Sequence, residues 1–207
     1  MDEQTSFEHV GGHSLLDWIN SEIIVKGKRF DLLENNYELW LKWWIGVGQL
    51  DEALAAQLIS LWRERSETTA VFQKALQFRQ AMRQMVVDIV GNQPISKTAV
   101  QQINDLLAKN KGHFQLTQLE GELNLDFQTN LGQEDPNYWL GKLAQLAADF
   151  LTQTDFSRLK KCQNDSCIRF YLDTSRNRSR RWCSMESCGN RMKVAAYYDR
   201  QKNRFKL

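Results

Sequence analysis

Four cysteines constrain the C-terminal part of this 207-residue chain more than any other feature of its sequence. Cys162, Cys167, Cys183 and Cys188 are its only cysteines. Two close pairs separated by a longer stretch can turn four sulfurs toward one point, as a tetrahedral metal site requires. The spacing therefore predicts one structural zinc ion held by four thiolates, with no open position for a substrate.

Other interpretations of the cysteines remain open at this point. They could be buried free thiols or a redox pair, and an iron–sulfur cluster is the rival metal site. The four residues within each pair exceed the commoner two, but the spacing does not match the usual ferredoxin patterns. In a cytosolic protein thiols stay reduced, so the clustering favours metal over disulfides.

The residues around the cysteine pairs predict a treble-clef-like finger. Residues 168–172 favour a strand, 174–177 a turn and 178–182 a return strand. The run 184–203 favours a helix that carries Val194, Tyr197 and Tyr198 on one side. A hairpin followed by a helix that starts at the second cysteine pair is what such a finger needs.

Charge is distributed unevenly along the chain. Residues 158–207 contain 14 Lys and Arg against 4 Asp and Glu, whereas residues 1–157 contain 13 against 21. A basic module favours a polyanionic partner, and guanidinium groups suit phosphate oxygens and guanine edges. The predicted DNA-contacting residues lie on the hairpin and the final helix: Arg176, Arg178, Arg180, Arg181, Arg191, Lys193 and Arg200.

Other roles for these cations stay open. They could form a solvated basic surface, pair with acidic residues of the preceding region, or donate hydrogen bonds to the zinc thiolates. A finger that binds protein instead of DNA is the second functional interpretation. Phe170 and Trp182 fit the core of the finger better than a platform for stacked bases.

The chain before the finger predicts a helical domain with a small β-hairpin. Apolar residues recur there at three- and four-residue steps, as amphipathic helices require. Four residues mark predicted helix starts: Asn35, Asp51, Ser96 and Asp135. Residues 114–127 instead alternate across Glu120-Gly121, which indicates the hairpin. The predicted fold class is mainly α (α+β), with domains at 1–157 and 158–207.

A polar trio accompanies the first apolar stripe. His13, Asp17 and Asn20 are spaced by four and three residues, so they share one face of a helix. They could line a small-molecule pocket, or they could form a buried network that fixes the helix against its neighbours. A metal site at this position would need more ligands than the sequence offers nearby.

Two segments resemble known families. Cys188-Gly189-Asn190-Arg191 resembles the signature of the CGNR zinc finger, and residues 170–185 are similar to the rest of that finger. Residues 12–20 resemble the opening motif of the ABATE domain that precedes this finger, with Trp18-Ile19 where that motif usually has Phe-Val. The resemblance implies a stress-induced bacterial transcription regulator.

From the resemblance and the charge we expect a regulator whose finger binds DNA. Its acidic region would sense a small-molecule effector or form a homodimer; the alternative is an adaptor whose finger binds protein. No glycine-rich phosphate loop, nucleophile elbow or His-Glu-x-x-His motif occurs, so no enzyme activity is expected. The polar first residues and the lack of an apolar stretch of about 18 residues favour a cytoplasmic protein with no membrane partner.

Overall fold

The computed structural model describes residues 7–63, 65–110, 112–119 and 122–204. Asn36–Thr154 folds as one unit, here the central unit. The stretch ending at Asn35 folds together with the stretch beginning at Asp155, and these two stretches form the finger unit. The domain boundary predicted from the sequence, between residues 157 and 158, stays a prediction; the folded units group the first described residues with the cysteines.

Helices build most of the described central unit. They are α2 (Tyr37–Gly46), α3 (Glu52–Arg63), α4 (Ser66–Val90), α5 (Lys97–Lys109) and α6 (Pro136–Gln153). Three predicted caps are confirmed, because Asp51, Ser96 and Asp135 each accept a hydrogen bond from a backbone N–H of a first helical turn. The prediction of Asn35 is wrong by one residue: Asn35 has a left-handed φ of 55°, and Asn36 caps α2 instead.

Buried tryptophans fill the core of the central unit: Trp40, Trp43, Trp44, Trp62 and Trp139. The rings of Trp44 and Trp139 are 5.1 Å apart, which joins α2 to α6. Two indole N–H groups donate to backbone carbonyls before α6, Trp62 to Glu134 at 2.8 Å and Trp139 to Gln133 at 2.9 Å. These bonds satisfy the polar edge of each ring and fasten the loop that enters α6.

The predicted hairpin of the central unit is confirmed in its backbone. Strands β3 (Gly112–Leu119) and β4 (Glu122–Thr129) pair antiparallel, with Leu119 opposite Glu122. The predicted turn at Glu120-Gly121 lies outside the described residues. So do the side chains whose alternation predicted the hairpin: Phe114, Leu116, Leu123, Leu125 and Phe127.

The finger unit begins with a short helix and a hairpin. Helix α1 (Ser14–Ile19) is followed by β1 (Glu22–Val25) and β2 (Lys28–Asp31), which pair antiparallel. This hairpin is not among the predicted elements, although Lys26-Gly27 between two β-forming runs is a sequence signal for it. None of the helices in the described ranges combines the length and apolarity that crossing a bilayer demands.

The second half of the finger unit corrects the predicted hairpin between the cysteine pairs. Strand β6 (Phe170–Leu172) forms as predicted, but its partner is β5 (Leu159–Lys161), which precedes the first cysteine. The predicted return strand 178–182 is wrong, since those residues form no strand and Arg178 has a left-handed φ of 52°. The chain then makes one π-helical turn, Met185–Gly189, and continues as α7 (Asn190–Arg204).

Candidate metal centre and nucleic-acid interface

The four cysteine sulfurs meet at one point of the finger unit. All four Sγ atoms lie within 4.8 Å of one another. The Sγ atom of Cys183 is 3.8 Å from that of Cys167 and 3.6 Å from that of Cys188. Four sulfurs at a Zn–S distance of about 2.3 Å occupy a tetrahedron with edges of about 3.8 Å, so the cluster fits one zinc ion.

Backbone hydrogen bonds place each cysteine. Cys162 follows β5, and its N–H donates to the carbonyl of Arg169 at 3.0 Å. The N–H of Cys167 donates to the carbonyl of Asn164 at 2.8 Å, which closes a tight turn between the first two ligands. Cys188 lies in the π-helical turn just before α7. The metal site therefore ties together a strand, a tight turn and the start of a helix.

Donors aimed at the sulfurs are a second indication of fit. The N–H of Cys183 donates to the Sγ atom of Cys162 at 3.4 Å. Asn164 is buried, and its side-chain Nδ2 has no hydrogen-bond partner in the described structure. A buried donor of this kind is satisfied by a thiolate, because negatively charged sulfur is the stronger acceptor.

The thiols also perturb one another's ionisation. Hydrogen bonding to Cys167 and Cys183 lowers the pKa of Cys162 to about 6. The Cys162 sulfur and its neighbours lower the pKa of Cys188 and raise that of Cys183. Four thiols so close together cannot ionise independently, and a divalent cation among them favours the thiolate form of all four. Burial of three of them keeps competing water away.

A buried carboxylate organises the loop between the cysteine pairs. Asp173 is fully buried and accepts hydrogen bonds from Lys160 Nζ at 2.6 Å and from the N–H groups of Ser175 and Arg180, both at 3.0 Å. Burial by itself would raise the pKa of Asp173, but the bonds from Lys160 and Ser175 outweigh it and hold the pKa well below the usual range. Hydrogen bonds to this carboxylate, and not pairing with a return strand, therefore hold the loop in place.

Arg180, a predicted DNA-contacting residue, is bound within the finger. Its Nε donates to the carbonyl of Trp182 at 2.9 Å, and its Nη2 donates to the carbonyl of Cys183. Its guanidinium lies over the ring of Tyr171, 4.4 Å from the centroid. A planar group stacked and bonded in this way is well placed to hold the chain next to the metal centre.

Arg178 and Arg181 are exposed but also have partners within the finger. Arg178 donates to Ser157 Oγ at 2.8 Å. Arg181 donates to Gln163 Oε1 at 2.7 Å, and its guanidinium lies 5.3 Å from the centroid of the Trp182 ring. Phe170 is buried in the finger and Trp182 is partly buried, in agreement with the core role predicted for both.

The other predicted cations are exposed, and within the described residues they make no hydrogen bond or ion pair: Arg176, Arg191, Lys193 and Arg200. Three of them lie on α7. Val194, Tyr197 and Tyr198 of the same helix are 54%, 53% and 67% exposed. Among the side chains described on α7, Met192 and Gln201 are partly buried and the others are exposed, so most of the described surface of this helix is open to a partner.

Two known protein families match this chain. Residues 158–201 match the CGNR zinc finger, and residues 12–154 match the ABATE model, whose description is "putative stress-induced transcription regulator". The chain belongs to the ABATE family. Its CGNR finger carries the four-cysteine zinc site described above, and the family description is that of a regulator and not of an enzyme. A comparison with curated proteins found no match.

The predicted polar trio lies at the start of the ABATE match, and each member binds backbone. His13 Nδ1 accepts from the N–H of Leu15 at 3.0 Å and caps α1. Asp17 Oδ1 accepts from the N–H of Gly11 at 2.8 Å, and burial raises the pKa of Asp17. Asn20 reaches the finger strand β6. These hydrogen bonds are of the kind expected for a buried polar network. A small-molecule pocket lined by the trio stays a prediction.

Sequence reasoning missed a second link, between the residues that precede the ABATE match and the finger. Arg169 is buried beside the cysteines, and its Nη1 donates to Glu8 Oε2 at 2.6 Å. Next to this pair opens a cleft of about 610 Å³, whose walls include Val25 to Gly27 of the β1–β2 hairpin and Arg191 of α7. No local pattern could reveal a pair whose members are separated by 161 residues.

Proposed function

We propose that this ABATE-family protein is a transcription regulator that binds duplex DNA through its CGNR finger. The observation that carries the proposal is the set of cations on α7, Arg191, Lys193 and Arg200, which are exposed and engage no acidic partner in the described structure. Cations that stabilise nothing within the fold are available for phosphates, and neutralising phosphates supplies most of the affinity for DNA.

The spacing on α7 suits a nucleic acid. Lys193, Tyr197 and Arg200 recur at four- and three-residue steps, so they share one face of the helix. An α-helix fits the major groove of B-DNA, and tyrosine hydroxyls commonly donate to phosphates. Zinc bound to Cys188 would hold the turn from which α7 starts, so the start of this helix is anchored to the finger. Less conformational entropy is then lost on binding.

The remaining predicted cations divide into two groups. Arg176, Arg178 and Arg181 are exposed near the finger loop and add phosphate contacts beside α7. Arg180 is bound to carbonyls and to Tyr171, and its proposed role is to hold the finger together. The closed four-sulfur site leaves no coordination position for a substrate, which supports a function without catalysis.

The rest of the protein serves regulation in this proposal. The acidic region before the finger senses a small-molecule effector or forms a homodimer, and the protein acts in the cytoplasm, where it has access to DNA. The second candidate is an adaptor whose finger binds protein. Exposed Val194, Tyr197 and Tyr198 favour that alternative, since large apolar groups are enriched at protein interfaces.

A salt series separates the two functions. Fluorescence anisotropy on a labelled duplex should show affinity that falls steeply with salt, by a log–log slope of about −0.9 per phosphate contacted. Replacing Lys193 and Arg200 with Gln should reduce that slope by about 2, whereas Lys97→Gln with Lys109→Gln, which removes two exposed lysines of α5, should leave it unchanged. An intact, zinc-loaded protein without salt-dependent affinity for DNA would favour the adaptor.

A further inference from the structure

The β1–β2 hairpin presents an exposed basic tip. Lys26, Lys28 and Arg29 follow one another around the turn with only Gly27 between them, and all three are exposed. Among the described residues the acidic group nearest to any of these cations is Glu22, 3.9 Å from Arg29. At that distance, with Arg29 60% exposed, this contact neutralises little of the charge. Beside the cations, Phe30 is 48% exposed.

The tip is rigid as well as basic. A two-residue loop joins Val25 to its register partner Lys28, and both loop residues have positive φ, 50° at Lys26 and 78° at Gly27. This is the geometry of a type I′ turn, whose twist matches that of the flanking strands. Cations held on such a turn are pre-organised, so ordering them on a ligand costs less than ordering a flexible loop.

The base of the hairpin is fastened to the finger. The carbonyl of Ser21 accepts from the N–H of Leu32 at 2.8 Å, which closes the ladder at its base. The preceding residue, Asn20, makes two hydrogen bonds to Phe170 in β6. The base of the hairpin is therefore held on the strand that lies between the two cysteine pairs, in the same unit as the zinc site.

The cleft beside the zinc site is lined by residues of both the tip and α7. Lys26 and Gly27 of the tip line it together with Arg191 at the start of α7. Among the other lining residues, Arg169 is paired with Glu8, and a four-thiolate zinc centre adds a local charge of about −2 at Cys167 and Cys188. An anion is thus disfavoured next to the cysteines and favoured next to Lys26 and Arg191, which have no anionic partner among the described groups.

We propose that the β1–β2 hairpin is a second DNA-contacting arm, whose tip residues Lys26, Lys28 and Arg29 bind backbone phosphates of the duplex that α7 engages. This inference rests on the proposed DNA binding and extends it to a segment that the family match places in the ABATE region, outside the finger. Phe30 lies against the sugars beside those phosphates, which accounts for an exposed aromatic ring next to three cations.

The test compares two triple variants of the full, zinc-loaded chain. Lys26→Gln, Lys28→Gln and Arg29→Gln together should make the salt slope shallower by up to about 3 and weaken binding at about 0.1 M salt at least tenfold. The matched control replaces three exposed lysines of the central unit, Lys42, Lys97 and Lys109, with Gln. It should bind with wild-type affinity and slope.

Three results of this comparison would overturn the second arm. Wild-type slope and affinity in the hairpin variant, while the α7 variant is weakened, would overturn the second arm and leave the proposed function intact. Equal weakening of both triple variants would also overturn it, because the effect would then follow net charge. Absence of DNA binding by the wild type would overturn both proposals.

A crosslinking experiment does not depend on removing charge. A photoreactive benzoylphenylalanine in place of Phe30 should crosslink to bound duplex DNA under ultraviolet light. The same residue at Leu61, an exposed position on α3, should give no crosslink. An uncrosslinked duplex with the Phe30 variant, under conditions where that variant binds DNA, would count against the arm even if the hairpin charges alter affinity.

Discussion

Asn20 uses both ends of its side-chain amide on the backbone of Phe170. Its Nδ2 donates to the Phe170 carbonyl at 2.8 Å, and its Oδ1 accepts from the Phe170 N–H at 2.9 Å, with both residues buried. Nearby, the carbonyl of Gly11 accepts from the N–H of Leu172 at 2.8 Å. Together these groups do for the free edge of β6 what a neighbouring strand would do, and they join positions 150 residues apart.

Asn20→Ala should destabilise the finger unit. The change leaves a buried backbone N–H and carbonyl of Phe170 without these partners, at about 1–3 kcal/mol for each unsatisfied group. Urea denaturation followed by tryptophan fluorescence, with zinc release to a chelator as a second readout, measures the loss. The control is Asn104→Ala, an exposed asparagine on α5, for which we expect a change within about 0.5 kcal/mol. Equal stability of the two variants would contradict a role for the Asn20 amide.

Cys183→Ser should abolish zinc binding and unfold the finger while the helices of the central unit persist. The reason is that the energy of metal binding is also folding energy for a small site of this kind. Elemental analysis should give about one zinc per chain for the wild type and none for the variant. Circular dichroism should retain most of the helical signal, since α2 to α6 contribute nothing to the metal site. A variant that keeps its zinc would exclude the four-sulfur assignment.

Zinc retention should depend on pH in one direction. Metal binding needs thiolates, so protons compete with the ion and the stability that zinc contributes is lost as pH falls. Hydrogen bonding to Cys167 and Cys183 lowers the pKa of Cys162, whereas the Cys162 sulfur raises the pKa of both partners, so release should increase progressively as the pH falls from neutral. A colorimetric zinc indicator across a pH series measures this. Zinc release that increases as the pH is raised from 7 to 8 would contradict the predicted direction.

Arg180→Lys should weaken the finger more than it weakens contact with DNA. A lysine cannot reproduce the stacking on Tyr171 or reach the carbonyls of Trp182 and Cys183 together, and a buried carbonyl left unpaired costs about 1–3 kcal/mol. The expected readouts are a lower melting temperature and faster zinc release. Arg176→Lys, at an exposed position in the same loop, is the control. Unchanged melting with a lower DNA affinity would instead return Arg180 to the DNA-contacting set.

Local patterns account for what the sequence predicted well. The cysteine spacing predicted the sulfur cluster because both pairs turn within a few residues, and the caps at Asp51, Ser96 and Asp135 act on their own first turns. The alternation around residue 120 predicted β3 and β4, which pair with Leu119 opposite Glu122.

Long-range pairing accounts for what sequence reasoning missed. Strand β6 has only three residues, and so short a sequence does not determine whether it pairs with a segment before it or after it in the chain. The return strand 178–182 was a reasonable expectation from composition, but Asp173 binds the N–H of Arg180 and Arg178 adopts a left-handed conformation. The motif at His13 to Asn20 was recognisable, but its attachment to Phe170 depends on the folded chain alone.

The order of the two units along the chain has a consequence for biosynthesis. The central unit, Asn36–Thr154, is one continuous segment, and its synthesis is complete before the first cysteine is translated. The finger unit must wait, because Gly11 and Asn20 have no strand edge to bind until Leu172 has been synthesised. Zinc is therefore acquired last, because the fourth ligand, Cys188, is translated after Leu172 and after every strand of both units.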